Sequence, residues 1–584
     1  MAAGKGKTRE RGWNSSLGVI LAVAGSAVGF GNFLRFPGLA AQHGGGAFMI
    51  AYFTSLLLMG IPLAWVEWSI GRRGGSLGGH STSSIFMLLA RSRAWKYLGL
   101  LGVAAPLGLC MYYLFIESWT LGYAWKSMTG GFRLSSPAEF SETFGSFVGI
   151  TGNGEAFNIG KSDFVWFLAL AVLSNFWVMY RGVSRGIEWF CKWSLPVLLL
   201  TSLLILVRVL TLGTPDPAIP ERNIDQGLGY MWNPSKVVLE VRDTKQGGTW
   251  KTQDMLPFAA HAAAEARSPA VEQAVRRYGE ENVRVREISL LRGLMNPSVW
   301  LAAAGQIFWS LSVCFGSVAT YASYVKKRDD IALSSLTAAS ANECVEVGVA
   351  GMMIVPSAVA ILGVSAAAGA STFGLGFHVL PQVFAHMPAG QVFGTLFFGL
   401  LSLAAVTSSI SLIQPAIAFL EEFWLLNRKQ SIVIVGMLTL VGTLAVSWFS
   451  KGLIGLDTMD FWLGTMSLYV LAACFLYLFC SKWSVDEGYE AIAAGAKIRV
   501  PRFMMYVIRW ITPLILAAII ASWALENIFG TTCQQIRHLL DGEPGAIVPL
   551  LWWLLAALFF AMVAKSSRRF HAKLRHQRKI TSQP

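Results

Sequence analysis

The chain has 584 residues, of which 54% are hydrophobic and 14% charged, and its mean hydropathy is +0.52. These values exclude a soluble enzyme built around one large core and are typical of a protein that crosses a membrane many times. The net charge of +14 would suit a nucleic-acid partner, but the basic residues stand between apolar stretches, which indicates membrane orientation instead.

Twelve apolar stretches are long enough for a membrane helix, which needs about 20 residues. We number them as spans one to twelve; they lie near residues 14–38, 45–70, 94–124, 163–181, 187–210, 298–324, 331–366, 390–424, 431–450, 458–480, 503–525 and 546–565. Basic residues cluster at alternate ends of the spans, so the positive-inside rule predicts that both termini are cytoplasmic. We expect no cleavable signal peptide and therefore an inner or plasma membrane. The seven cysteines predict no disulfide framework.

The first span contains residues that do not suit a membrane helix. Its middle carries Gly25, Ser26, Gly29, Gly31 and Asn32. Each glycine costs a helix about 1 kcal/mol relative to alanine, so this run predicts a break. Backbone groups freed inside a bilayer are tolerated only where they line a cavity or bind something. We therefore predict that this span binds an ion or a polar ligand.

Spans two to five carry fewer polar residues. Glu67, near the end of span two, is expected to accept free amides of the broken first span. Span three carries Leu109, Tyr112 and Tyr113. The hydroxyl of a buried tyrosine requires a hydrogen-bond partner. For spans four and five the sequence predicts only apolar packing.

The segment between spans five and six, about 211–297, is too long for an ordinary connection. It should have structure of its own or be disordered. Ser268 and Pro269 resemble a helix start, and Val271, Val275 and Tyr278 would then form an apolar stripe. We expect a surface lid or solvated insertion rather than a partner-binding site.

Span six repeats the anomaly of span one, because Ser310, Ser312 and Gly316 interrupt its apolar run. Two interrupted helices in corresponding halves of a chain indicate an internal repeat and the binding site of a secondary transporter.

Further polar groups lie in later spans. In span seven Asn342 and Glu346 are four residues apart and share a face, next to Glu343. In span eight the adjacent hydroxyls of Thr407 and Ser408 suit a hard cation, although such hydroxyls often bond their own backbone. Asp460, at the start of span ten, is a potential partner for Arg35.

Several runs closely resemble the neurotransmitter:sodium symporters, and the resemblance covers nearly the whole chain. They are AGSAVGFGNFLRFP, GGGAFMIAY, GIPLAWVEWSIGRRGG, YYLFIESWTLG, GQIFWSLSVCFG, TYASYV, LTAASANE, VTSSISLIQP and MDFWLGT. The resemblance implies an all-α polytopic membrane protein with the LeuT fold, that is, twelve transmembrane helices, a five-plus-five inverted repeat and unwound helices one and six. It also implies import of an amino acid with sodium by alternating access.

On this basis we expect six regions. They are an amino-terminal arm (1–13), a first repeat (14–210), a long outer loop with an insertion (211–297), a second repeat (298–480), two further helices (481–565) and a basic tail (566–584).

The resemblance also implies binding residues, with two Na⁺ ions and no organic cofactor. The first sodium site would comprise Ala27, Asn32, Ser310 and Asn342. The second would comprise Gly25, Val28, Ala404, Thr407 and Ser408. The substrate would contact Ala27, Gly29, Leu109, Tyr113, Trp309, Ser310, Ser312, Phe315, Ser408 and Leu412. The outer gate would be Arg35 with Asp460, under which Tyr113 and Trp309 form a lid. The inner gate would involve Arg9, Arg11, Trp13, Tyr324 and Glu422.

This chain departs from the family pattern in ways that bear on selectivity. Trp309 replaces the usual lid phenylalanine, Leu109 stands at a valine or isoleucine position of the third span, and Ser310 replaces a sodium-binding threonine. We therefore expect a neutral, aliphatic or small amino acid, since a charged side chain would be buried without a partner. Glu346 stands where chloride-dependent relatives have serine, so we predict chloride independence, with Tyr52, Gln306 and Ser310 around this carboxylate.

Two alternatives stay open. One is a proton-coupled amino-acid transporter of the same fold, and the other is a membrane sensor that binds an amino acid without transporting it. An enzyme is not expected, because the sequence lacks HExxH, GxSxG and phosphate-loop motifs. The expected partners are a free amino acid, sodium and lipid, with no nucleic acid. The oligomeric state is open between a monomer and a homodimer.

Overall fold

The computed structural model describes residues 16–567 apart from 133, 135, 159, 161, 218, 221, 244–248, 257–268, 328, 371 and 530–532. The predicted arm, with Arg9, Arg11 and Trp13, and the basic tail beyond 567 lie outside the described residues.

Ten helices of the described chain are long and apolar enough to cross a membrane. They are Ile20–His43, Gly45–Ser76, Trp95–Met128, Gly186–Leu210, Ile331–Leu362, Gly390–Phe423, Arg428–Trp448, Lys451–Lys482, Met504–Leu525 and Pro544–Ser566. Span four is the shorter apolar helix Phe164–Tyr180. Span six is divided into Pro297–Ser310 and Ser317–Ala322. These elements correspond in order to the twelve predicted spans, and the protein is a multi-pass helical membrane protein.

The spans that carry the predicted site are the most enclosed ones. Of the most apolar 18-residue stretch of each span, 94% is buried in span three and 83% in spans one and eight. The corresponding share in span twelve is 28%. Span three packs lengthwise against span eight, with the first half of span one beside span eight. The central spans have little contact with lipid or water. Their polar residues therefore need hydrogen-bond partners inside the bundle.

Shorter helices lie between the spans. They are Thr82–Ala90, Pro137–Val148, Ile224–Trp232, Pro269–Tyr278, Leu290–Leu294, Val364–Gly369, Leu380–His386, Val485–Ala493 and Gln534–Leu540. Within the spans, wider π-type turns occur at Gly31–Arg35, Cys344–Gly351 and Asp460–Met466. Such turns are frequent at functional sites, and the first two carry Asn32 and Glu346.

The segment between spans five and six forms a small folded insertion. Its strands β1 (Lys236–Asp243), β2 (Thr249–Leu256) and β3 (Val283–Ile288) make an antiparallel sheet in the order β2-β1-β3. In β1, Val237 pairs with Leu256 of β2 and with Glu287 of β3. The segment therefore has structure of its own, one of the two predicted outcomes.

The helix Pro269–Tyr278 covers this sheet. Its apolar stripe is Val271, Ala274 and Tyr278, which pack against residues such as Leu239. The predicted stripe was wrong in one member, because Ala274 rather than Val275 enters the small core. Ser268, the predicted cap, lies outside the described residues. No two of the seven cysteines, all within the described chain, form a disulfide.

The insertion is fastened to the end of span one that lies beyond Arg35. The Lys236 ammonium donates to the carbonyl oxygen of His43 at 2.8 Å, and the Tyr230 hydroxyl donates to the carbonyl oxygen of Ala41 at 2.5 Å. The backbone amide of Gly46 also donates to the carbonyl of Asn233. The insertion therefore lies at the same end of the bundle as the predicted outer gate.

Candidate functional site

The first helix opens at the predicted glycines. It runs as Ser16–Ala27 and re-forms at Gly31. The amide of Gly29 donates to Oδ1 of Asn32 at 2.7 Å. In a continuous α-helix that amide would bond the carbonyl of Gly25. The break therefore releases the Gly25 carbonyl and gives Asn32 the role of a cap.

The next amide is diverted in the same way. Phe30 N–H donates to the hydroxyl oxygen of Tyr113 at 3.3 Å rather than to the carbonyl of Ser26. That carbonyl accepts instead from the hydroxyls of Ser312 at 2.9 Å and Ser408 at 3.2 Å. The opening of span one is therefore bridged by side chains of spans three, six and eight.

Only glycine fits at position 29. A methyl group there would overlap Oγ of Ser408 and lie 3.0 Å from the hydroxyl oxygen of Tyr113. Because both neighbours belong to other spans, neither can withdraw without disturbing its own contacts. The close approach of the three helices at this point requires the missing side chain.

The second break separates Ser310 from Ser317. Within it Ser312, Cys314 and Gly316 have φ values of 51°, 66° and 81°. Two non-glycine residues in the left-handed region are held there only by surrounding structure. The amide of Cys314 in this segment consequently bonds a side chain of span two instead of a helix carbonyl.

Glu67 provides part of that surrounding structure. Its carboxylate accepts from the amide of Cys314 at 2.6 Å and from the amide of Ala319 at 3.2 Å. The expectation that Glu67 braces span one was wrong, because the bonded amides belong to the sixth span. The carboxylate compensates the free amino-terminal amides of the half-helix Ser317–Ala322.

An amide–carboxylate cluster lies beside the first break. The Asn32 amide donates to Oδ1 of Asn342 at 2.8 Å and to Oε2 of Glu346 at 3.1 Å. Glu346 also accepts from Nε2 of Gln306 at 2.7 Å and from the hydroxyl of Ser310. Ser310 in turn accepts from the Asn342 amide at 2.5 Å. All five side chains are fully buried, and their oxygens are the ligand type that a hard cation selects.

Tyr52 contacts Glu346, as expected, and also the neighbouring Glu343. Its hydroxyl donates to Oε2 of Glu343 at 2.7 Å. Gln306 and Ser310 do contact Glu346, as expected. Among the described residues no lysine or arginine forms an ion pair with Glu346. The carboxylate is therefore surrounded by neutral donors only.

A cluster of hydroxyls lies on the other side of the first break. The Thr407 hydroxyl donates to the Ala404 carbonyl at 2.9 Å, and a methyl group on Gly25 would lie 3.6 Å from Cβ of Thr407. Ser408 reaches the carbonyl of Ser26. The structure therefore brings Gly25 of span one close to Thr407 of span eight, two of the residues expected at the second sodium site.

Between the two breaks lies a pocket of about 20 Å³, room for about one water molecule. Tyr113 and Trp309 stack above it with ring centroids 6.2 Å apart, and Phe315 meets Trp309 edge-on at 6.0 Å. The lining contains no charged side chain and consists of Ser26, Ala27, Gly29, Gly31, Leu109, Tyr113, Trp309, Ser312, Phe315, Ser408, Ser411 and Leu412. An amino acid fits only if these walls move apart.

Comparison with known proteins gives an independent reading of this arrangement. The model of the sodium:neurotransmitter symporter family matches residues 9–141 and 286–564. The chain belongs to this family. Its members are secondary transporters and not enzymes, and they use sodium.

Individual relatives of this symporter extend along most of its length. An uncharacterised sodium-dependent transporter of Haemophilus influenzae is 25% identical over 524 residues, which is 87% of this chain and 97% of the relative. The mouse sodium-dependent neutral amino acid transporter B(0)AT1 is 22% identical over 602 residues, covering 90% and 83%. The crystal structure of MhsT in complex with L-phenylalanine aligns with a TM-score of 0.67 and 26% identity, over 88% of this chain and 99% of that one.

The symporter has a larger cavity above the stacked rings, of about 390 Å³. Arg35 and Asp460 both line it, but they do not form an ion pair in the described structure. Arg35 donates to the carbonyl of Gly305 at 3.1 Å and lies 5.6 Å from the ring centre of Trp309. Asp460 accepts from the Tyr112 hydroxyl at 2.7 Å. The two residues of the predicted outer gate therefore line one cavity without contacting each other.

At the opposite end of the symporter, Glu422 has partners that we did not predict. It accepts from the hydroxyls of Ser81 at 2.6 Å and Ser84 at 2.8 Å and from the backbone amide of His80. Tyr324 stacks on the ring of His80, with centroids 4.5 Å apart. Two predicted members of the inner gate thus meet the start of the helix Thr82–Ala90, while their pairing with Arg9 or Arg11 lies outside the described residues.

One buried network of the symporter escaped the sequence reading altogether. The Asn175 amide of span four donates to both carboxylate oxygens of Glu117 at 2.9 Å, and the Ser409 hydroxyl donates to Oδ1 of Asn175 at 2.5 Å. The expectation of purely apolar packing in span four was therefore wrong. A single asparagine in an apolar helix is the signal that could have found it, because a buried amide requires partners.

Proposed function

We propose that the protein is a sodium-coupled symporter that imports a neutral amino acid, aliphatic or small, by alternating access. The observation that carries the proposal is the uncharged pocket between two helix breaks, with amide oxygens on one side and hydroxyls on the other. Sodium bound to such oxygens would hold both breaks in place. The name of the mouse relative, a neutral amino acid transporter, supports the substrate class.

The polar ends of the substrate have complementary partners beside the pocket. Two half-helices begin or end at each break, and amides and carbonyls that leave a helix suit a carboxylate and an ammonium respectively. Tyr113 lies beside Gly29 and would meet the carboxylate, whereas the ammonium would meet carbonyls of Ala27, Trp309 and Ser310 and the hydroxyl of Ser312. The remaining wall of Leu109, Trp309, Phe315 and Leu412 is apolar.

The proposal includes two sodium ions. One would be bound by Ala27, Asn32, Ser310 and Asn342 with the substrate carboxylate, and the other by Gly25, Val28, Ala404, Thr407 and Ser408. Glu346 would supply the negative charge that makes transport chloride-independent. We further propose an inner or plasma membrane location with both termini cytoplasmic, and repeats at 14–210 and 298–480.

The direct test is uptake of each of the twenty amino acids by proteoliposomes with an inward sodium gradient. We expect sodium-stimulated accumulation of at least one neutral amino acid, because the sodium sites and the substrate site share residues. Replacing sodium by potassium or choline should remove it. Accumulation of none of the twenty, or equal uptake in potassium, would contradict the proposal.

Trp309 is expected to set the upper size limit of the substrate. Its indole forms the lid with Tyr113 and also contacts Phe315. Trp309→Phe should therefore shift preference towards a longer aliphatic substrate, by roughly tenfold for each added methylene that becomes buried. Inhibition constants of alanine, valine, leucine and phenylalanine against the transported substrate measure this shift.

The matched control is Trp462→Phe, which removes an indole of span ten that does not line the pocket. Its order of preference should equal that of the wild type. An unchanged order in Trp309→Phe as well would show that the lid does not determine size.

A further inference from the structure

A second cavity, of about 250 Å³, lies between the insertion and the ends of spans one, two and six. It shares no lining residue with the cavity above the substrate pocket. Three cationic side chains line it, Lys236 of β1, Arg286 of β3 and Arg292 of the short helix Leu290–Leu294, and no carboxylate does. A cavity with this lining suits an anion.

The positive charges are only partly compensated. The Lys236 ammonium donates one of its three N–H groups to the His43 carbonyl. Its burial lowers its pKa below the usual value, and a bound anion would reverse that shift. Arg292 is exposed and has no ion pair among the described residues.

Two carboxylates lie near this cavity. Glu240 is bonded to Arg284 at 2.6 Å and to Arg286 at 3.4 Å, and Glu287 accepts from the Ser235 hydroxyl at 2.5 Å. Of the three cations that line the cavity, only Arg286 is paired with a carboxylate among the described residues, which leaves an excess positive charge there.

Apolar side chains lead away from the cavity. Leu291 and Met295, on either side of Arg292, are 71% and 74% exposed. On span two, whose first turn lines the cavity through Ala47, the exposed residues Ile50, Phe53 and Leu57 follow at helical spacing. A free anion would need only the cations, whereas a lipid needs cations beside such an apolar surface.

We propose that this cavity binds the phosphate headgroup of an anionic phospholipid, with its acyl chains along the exposed face of span two and beside Leu291 and Met295. Arg292 lies five residues before the start of the half-helix Pro297–Ser310, and Asn296 and Val299 also line the cavity. The lipid therefore bridges the insertion to the half-helix that carries Trp309. The family model does not match residues 142–285, so β1, with Lys236, lies outside the region that the family model covers.

The test is lipid retention by the purified full-length protein, measured by native mass spectrometry after titration with phosphatidylglycerol or phosphatidylcholine. We expect preferential retention of phosphatidylglycerol. Arg292→Gln should weaken it roughly fivefold and Lys236→Gln with Arg292→Gln roughly thirtyfold, since each basic side chain near a lipid surface contributes comparably. The matched control, Arg276→Gln with Arg277→Gln, removes two charges from the same insertion outside the cavity and should change nothing.

Three results would overturn the proposal. They are equal retention of both lipids, retention by Arg292→Gln equal to the wild type, and binding of inorganic phosphate as tight as that of the lipid. The single variant alters an exposed side chain, so it tests the site even if the double variant does not fold. Met295→Ser should weaken lipid binding while leaving inorganic phosphate unaffected, and an equal loss of both would contradict the acyl-chain contact.

Discussion

Replacing Asn32 by alanine is expected to abolish sodium-dependent substrate binding. The side chain has two functions in the structure: Oδ1 accepts from the Gly29 amide at 2.7 Å, and the amide group bonds Asn342 and Glu346. Its removal leaves a freed backbone amide without its cap and removes a proposed sodium ligand. An interaction with a charged group contributes about 1.5–3 kcal/mol, so loss of this ligand alone corresponds to roughly 10- to 100-fold in sodium affinity, and the uncapped Gly29 amide adds to the loss.

Sodium titrations of substrate binding, made in detergent where no gradient exists, measure this loss directly. Gln391→Ala is a suitable control, because it also removes an amide that joins two spans, here through the Met128 carbonyl at 2.6 Å. That variant should keep the wild-type sodium dependence. Undiminished binding by Asn32→Ala would refute the first sodium site while leaving the second untouched.

The breaks in spans one and six could be predicted because local composition determines them. Glycines 25, 29 and 31 weaken one helix, and Ser312 and Gly316 weaken the other, whatever packs against them. The shared face of Asn342 and Glu346 follows equally from helical spacing. These features need no knowledge of neighbouring spans, and the structure brings the corresponding side chains together.

The partners of single charged residues could not be predicted in the same way. Glu67 bonds the sixth span and not the first, and Arg35 bonds the Gly305 carbonyl rather than Asp460. Each choice depends on which of several polar groups lies within about 3 Å, a distance smaller than one helical turn. The sheet of the insertion was missed for a related reason, since its strands pair across many intervening residues and no short pattern specifies them.

Replacing Glu346 by serine is expected to make transport depend on chloride. The carboxylate is fully buried and accepts from Asn32, Gln306, Ser310 and Asn342, without a cationic partner among the described residues. Serine would leave these donors directed at a space that an anion could fill. Loss of a negative charge about 4 Å from a bound cation costs roughly 4 kcal/mol at an effective dielectric constant of 20, so uptake without chloride should fall by at least roughly 100-fold.

Uptake in chloride and in gluconate, at constant sodium, distinguishes the two contributions of Glu346. If the residue supplies only charge, chloride should restore much of the lost activity, because the neutral donors that held the carboxylate can hold an anion of one charge. If the residue instead acts by its shape, chloride will restore nothing.

Glu343→Gln removes the neighbouring carboxyl, which bonds Tyr52 at 2.7 Å and is less buried. Because that carboxyl makes no contact with Ser310, its loss should create no chloride requirement, and a requirement in both variants would mean that net charge in span seven, not the position of Glu346, controls the anion.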